Sequence, residues 1–151
     1  MNKVYDFFIA GRTRNKEKIL KICNIFDSLN ISYYCFLKNE KSNSEAGLDM
    51  NENPEELMKK FEKLELDSDA IKTIFKHDME GEKNSKNLLL VLPAGKSAHI
   101  EAGVAYGLGK KCYAIGEYDV ADSLYLIFDK IFKNEEELSD FLNKYKENSK
   151  N

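Results

Sequence analysis

The sequence predicts a doubly wound α/β domain of about five parallel strands in the order 2-1-3-4-5, with helices on both faces. Three observations predict it. Residues 88–92 (LLLVL) form an unbroken apolar run that stops at Pro93-Ala94-Gly95, and small and apolar residues follow as far as Gly107 and Gly109. That is the pattern of a buried parallel strand, a tight turn and a helix. Two β-prone runs, residues 4–10 and 31–37, flank a segment with apolar residues at helical spacing. A further apolar run, residues 111–116 (KCYAIG), follows the central helix directly. Strands alternating with helices close into a parallel sheet covered on both sides.

In chain order, the first strand ends at Gly11, and Arg12-Thr13-Arg14 make a short loop. Asn15 is placed to cap the first helix, whose apolar face is Ile19, Ile22, Cys23, Phe26 and their neighbours. Strand two, residues 31–37, is rich in β-branched and aromatic residues. Residues 38–53 are polar and read as a loop, either a variable surface loop or one that covers a ligand. Pro54 suits the first turn of a helix, with Glu55 and Glu56 at its positive end. A second short helix starts at Asp67 or Ser68 and turns Ile71, Ile74 and Phe75 inward. It is followed by His77-Asp78-Met79-Glu80-Gly81 and a polar stretch, residues 82–86, leading into the central strand. After residue 116 come a loop, a short helical turn at 124–128, a brief last strand at Ile131-Phe132, and a final amphipathic helix capped by Asn134.

The 151 residues fit one domain, residues 1–146, with a polar tail at 147–151. A net charge of −3, with lysines and glutamates interspersed, leaves no basic stripe and argues against a nucleic-acid partner. No apolar stretch approaches the ~20 residues of a membrane span. The start of the chain lacks a signal-peptide cleavage pattern and reads as the first strand. Cys23, Cys35 and Cys112 each sit in an apolar segment, without CxxC spacing. They read as core residues in a reducing, cytoplasmic compartment rather than as disulfides or metal ligands. With His77 and His99 the only histidines, no metal site is expected.

The chemistry concentrates after the central strand. Gly95-Lys96-Ser97 ends like a phosphate loop, but the glycine that motif needs five positions earlier is Leu90, which excludes a nucleoside triphosphatase. Backbone N–H groups at a helix start still suit one phosphate or carboxylate. Ser97 can cap that helix or face a ligand. Glu101 shares a helix face with Ser97, among Ala98, Ala102 and Gly103. Partly desolvated and near the positive end of the helix, it is expected to stay ionised, fit to act as nucleophile or to stabilise positive charge. The plain alternative is a solvent-facing glutamate favoured by the helix dipole. His99 reads as a packing or surface residue. Asp78 is a turn residue or a second carboxylate. Arg12 and Arg14 are anion-binding or solvated loop cations, and Tyr5 and Phe8 are core residues by default.

Taken together, the stretches FIAGRTR (residues 8–14), HDMEG (77–81) and 88–110 resemble the nucleoside 2-deoxyribosyltransferase superfamily, with its nucleotide N-glycoside hydrolase members. The resemblance implies a flavodoxin/Rossmann-like domain. It implies that Glu101 attacks the anomeric carbon and that Asp78 serves proton transfer to the leaving base. It places Gly11, Arg12 and Arg14 at a 5′ phosphate. Residues 93–101 are also similar in spacing to the PGGxGTxxE motif of cytokinin-activating phosphoribohydrolases. Pro93, Gly95, Ser97 and Glu101 fall in register, while Ala94 and Ala98 depart from it. Amides around Gly95, Ser97 and Ala98 would then hold the sugar or phosphate, with Tyr5 or Phe8 stacking on or walling in the base. The resemblance implies a nucleoside or nucleotide as the small-molecule partner, no metal or organic cofactor, and a homo-oligomer of two or more copies. One departure bears on the sugar. Transferases of this superfamily often carry an aspartate six residues before the nucleophile, and that position is Gly95. Two other readings stay open: an NAD-cleaving enzyme similar to TIR domains, and a non-catalytic nucleotide-binding or sensing module.

Overall fold

The computed structural model describes residues 3–120 and 122–149. Five strands, β1 (Tyr5–Ala10), β2 (Tyr33–Cys35), β3 (Ser85–Val91), β4 (Lys111–Ile115) and β5 (Phe128–Phe132), pair in parallel in the order β2-β1-β3-β4-β5. The helices are α1 (Lys16–Ser28), α2 (Glu40–Glu45), α3 (Pro54–Glu62), α4 (Asp69–Lys83), α5 (Lys96–Gly107) and α6 (Glu135–Ser149). Both the sheet order and the two-sided covering match the expectation from sequence.

Alternation along the strands divides the core. Phe7, Ile9, Leu89 and Val91 face one side and pack with Ile19, Ile22 and Phe26 of α1 and Leu138 and Leu142 of α6. Phe8, Ala10, Leu88 and Leu90 face the other, where Ala98, Ala102 and Ala105 let α5 lie close to the sheet. The chain crosses from β2 to β3 over this second face, so α4 and α5 are neighbours above β1 and β3. All three cysteines are free and buried, as expected for core residues.

Several local expectations are corrected. Residues 38–53 are not a structureless loop. Asn39 caps α2 by accepting from the Ser42 N–H at 3.1 Å, and Ala46 and Leu48 pack on Leu57 of α3 as a satellite core. β2 is three residues long because the chain turns into a 3-10 turn at Phe36–Lys38. Asn15 does not cap α1. Its side-chain amide donates to the Leu92 and Pro93 carbonyls, both at 3.4 Å, and so ties the first loop to the central turn. Asn134 does cap α6, accepting from the Glu137 N–H at 2.9 Å. That helix reaches Ser149, so residues 147–149 are helical, and the last two residues of the sequence lie outside the described part.

The largest correction concerns α4. It is capped by Ser68 as expected, but it runs for 15 residues, through 77–81 and on to Lys83. Gly81 is inside the helix, and residues 82–86 complete the helix and begin β3. Phe75 faces solvent, at 66% exposure, rather than the core. Gly81 explains why the helix survives it. A Cβ there would lie 2.7 Å from the Tyr34 ring, so the glycine lets α4 rest on that ring.

Candidate active site

Parallel strands bring the loops after β1 and β3 to one edge, and helices returning from that edge carry side chains down over the sheet. Asp78 on α4 and Glu101 on the neighbouring α5 are near enough for the charge of Asp78 to act on Glu101. The Tyr34 hydroxyl donates to Asp78 Oδ1 at 2.9 Å and accepts from the Asn39 side-chain amide at 2.9 Å. Tyr34 is itself held flat against Phe8, with ring centroids 5.4 Å apart and 7° between planes. Asn39 thus caps α2 with its oxygen and fixes Tyr34 with its nitrogen.

The electrostatics of the pair are unlike those of surface carboxylates. Burial pushes the Asp78 carboxyl up to about 6, with the Tyr34 hydrogen bond and the charge of His77 pulling the other way. Burial, with the charges of Asp78 and Glu82 added, pushes Glu101 up to about 8. This overturns the expectation that Glu101 stays ionised. The positive end of a helix acts within its first turn, and Glu101 is the sixth residue of α5. Desolvation and neighbouring carboxylates therefore decide its state. Asp78 is the stronger acid of the two at rest.

Glu82 is the member of this cluster that sequence reasoning missed. It lies four residues after Asp78, on the same face of α4. It is 0% exposed, and neither carboxylate oxygen has a hydrogen-bond partner among the described residues. Burial raises it to about 7, opposed by the charge of Lys110 and reinforced by that of Asp78. The i, i+4 relation is hidden in the sequence because Gly81 signals a helix stop before residue 82. Tyr34 and Asn39 were missed because their role depends on β2 and α2 converging on α4. Among the described residues, no group of three or more His, Cys, Asp or Glu side chains is arranged to hold a metal ion.

The remaining candidates divide. Ser97 is exposed at the second position of α5 and makes no cap; Gly95 is the residue before the helix. Ala98 is buried against the sheet. His99, by contrast, is engaged. Its Nδ1 lies 2.8 Å from the Gly95 carbonyl, to which it can only donate, and its Nε2 lies 2.9 Å from the Tyr125 hydroxyl. Gly11 packs on α1, where a Cβ would come within 2.6 Å of Ile19. Arg12 is exposed, and no ion pair engages it among the described residues. Arg14 is occupied by α3, with Glu55 at 2.9 Å and Glu62 at 3.5 Å. Phe8 is 1% exposed beneath Tyr34 and has no face open to a base. Tyr5 lies at the opposite end of β1 from Gly11, edge-on to Tyr34 with Lys3 over its ring.

Two open clefts flank the carboxylates without containing them. One, of about 660 Å³, opens at the carboxyl ends of β3 and β4 and is lined by Pro93, Ala94, His99, Tyr125 and two lysines, Lys18 and Lys133. The other, of about 550 Å³, lies along β1 and β2 and includes Tyr5, Tyr34 and Asn39. The second cleft therefore reaches the tyrosine that holds Asp78.

No family model matches the chain, and no curated protein matches it in sequence. Among solved structures it is similar to a 2-deoxyribosyltransferase from the psychrotolerant bacterium Bacillus psychrosaccharolyticus. The two are 15% identical, with 88% of this chain and 89% of that one covered and a TM-score of 0.60. At that identity the likeness is one of fold. It covers nearly the whole chain and agrees with the strand order described above. No described helix is long and apolar enough to cross a membrane.

Proposed function

We propose that this protein cleaves or transfers at the N-glycosidic bond of a nucleoside or nucleoside 5′-monophosphate, with Glu101 as nucleophile. The observation that carries the reading is that Asp78 and Glu101 stand on the neighbouring helices α4 and α5, each largely withdrawn from solvent, with the charge of Asp78 acting on Glu101. A carboxyl pair with raised, unequal acidities is the equipment for coupled nucleophilic and proton-transfer steps. In the productive state Glu101 is ionised and Asp78 carries the proton. Glu101 attacks the anomeric carbon, the C–N bond breaks, and the Asp78 proton passes to the departing base. Water or a second base then takes the sugar from Glu101. At rest the proton sits on the other partner, so the productive state needs a proton moved from Glu101 to Asp78. Positive charge developing at the anomeric carbon favours that shift. Arg12 and the amides at the start of α5 are the groups offered to a phosphate or sugar. The reading includes an assembly of two or more copies. What supports it is apolar area left exposed at Ile100, Tyr106, Leu124 and Leu126, and light scattering reads the assembly directly.

The test is a substrate panel of deoxynucleosides, nucleoside monophosphates and NAD, followed for free base or nicotinamide. The expected result is base release that Glu101→Ala lowers on the order of 10⁴-fold and Asp78→Asn by roughly 10²- to 10⁴-fold. Release that survives Glu101→Ala removes the nucleophile from the reading. A non-catalytic binding module is the second reading, favoured by Gly95 standing where the related transferases often carry an aspartate. Binding of nucleotides with no turnover on any substrate would select it, and release of nicotinamide alone would select the TIR-like one.

A further inference from the structure

The functional reading leaves one buried ionisable group unused. Glu82 is completely covered, and neither oxygen makes a well-formed hydrogen bond among the described residues; the Ala105 N–H of α5 is the donor that approaches it, in a poor geometry. The groups around it do not neutralise it. On its own helix stands Asp78, another acid; on α5 stands Glu101, a third. Cys112 on β4 is a thiol that the charge of Glu82 would raise further. The Ser85 hydroxyl on β3 donates to the Gly81 carbonyl at 2.7 Å. Lys110, after α5, is the cation whose charge reaches it, but its ammonium donates to the Lys83 carbonyl at 2.9 Å and to the Ser85 carbonyl. An ionised carboxylate in this place would be a buried charge with no well-formed hydrogen bond and no contact ion pair, so it is costlier there than the neutral acid.

We infer that Glu82 is a positioning residue that sets the protonation of Glu101: fully covered between α4 and α5, it is neutral while it keeps its proton, and on losing it adds a second buried charge that holds the proton on Glu101. The catalytic consequence rests on the reading of Glu101 as nucleophile; the protonation pattern does not. While Glu82 keeps its proton, Glu101 can ionise as the single charge of the cluster. Once Glu82 ionises, the same step puts a second charge into one dry space, and Glu101 holds its proton more tightly. Glu82 exchanges no atom with substrate. Its elevation to about 7 agrees with this placement.

Carbon-13 NMR titration of the glutamate and aspartate carboxyl carbons tests the inference without any substrate. In the wild-type protein, Glu82 should titrate near neutrality, separated from the surface carboxylates. In Glu82→Gln, which keeps a neutral group of the same shape, the Glu101 midpoint should fall by roughly one pH unit. Glu82 titrating together with the surface carboxylates overturns the inference in the wild-type protein alone. So does a Glu101 midpoint that stays in place in folded Glu82→Gln. If base release is found, the alkaline limb of kcat/KM, set by the second proton lost from the Asp78–Glu101 pair, should move to lower pH by the same amount in Glu82→Gln; a purely structural role would lower the rate and leave the limb where it was. If no variant releases base, the functional reading fails and the titration still decides the role of Glu82.

Discussion

Tyr34 is the residue on which the candidate site turns. Its ring stacks on Phe8, α4 rests on it through Gly81, and its hydroxyl joins Asn39 to Asp78. A donor to a carboxylate stabilises the ionised form. Tyr34→Phe should therefore raise the Asp78 midpoint above its present value of about 6, and NMR titration reads this directly. The same change should cost about 1 kcal/mol of stability, since it removes a neutral partner from two polar side chains. An Asp78 midpoint that stays or falls would mean that the hydroxyl does not control this acid. Glu101 and Asp78 were legible in the sequence as a pair of carboxylates. Their protonation order was not, because it depends on the Tyr34 hydrogen bond and on the hidden charge of Glu82.

At the scale of elements, α4 departs most from what local pattern suggested. His77-Asp78-Met79-Glu80-Gly81 contains a glycine near the end of an apolar pattern, which ordinarily marks a helix stop. Here the stop is overridden, because the glycine is the point of contact with Tyr34. Gly81→Ala should gain helix propensity and still destabilise the protein by about 1–3 kcal/mol, because its Cβ would press into an aromatic ring. Gly103→Ala on α5 is the matched control. It meets nothing within 4 Å and should stabilise by roughly 0.5–1 kcal/mol. Urea unfolding of both variants measures the contrast, and equal effects of the two would deny the contact its importance. The short α2 was illegible for a related reason. Its signal is one capping asparagine in a polar run, and its stability comes from packing on α3 that no local window contains.

At the scale of the whole molecule, one fully buried and two partly buried carboxyls that bind their protons more tightly than usual make stability depend on pH in a defined direction. Asp78 rises from 3.8 to about 6. Glu82 rises from 4.5 to about 7, and Glu101 from 4.5 to about 8. In each case the folded state binds the proton more tightly than the unfolded chain. Their contribution is therefore fully present below about pH 4 and is lost as pH climbs through 6 to 8. Thermal unfolding should give a lower Tm at pH 8.5 than at pH 5.5. Glu82→Gln and Glu101→Gln should each narrow that gap by stabilising the protein at pH 8.5. A wild-type Tm as high at pH 8.5 as at pH 5.5 would show that these groups ionise freely in the fold. Such a penalty is expected where a cluster is retained for chemistry rather than for stability.

By itself the sequence determined the class of fold, the central strand-turn-helix and the position of Glu101, because strand burial and helix periodicity are written in nearest-neighbour patterns. Only the tertiary structure decided which candidates meet. It engaged Arg14 with α3, buried Phe8 beneath a tyrosine, placed Tyr5 at the far end of its strand, and brought Glu82 to Asp78 and Glu101. The physical reason is that a carboxyl's protonation depends on what excludes water from it and which charges surround it. For Glu101 those neighbours lie 19 and 23 residues away in the chain and are set beside it only when α4 and α5 pack on the same face of the sheet.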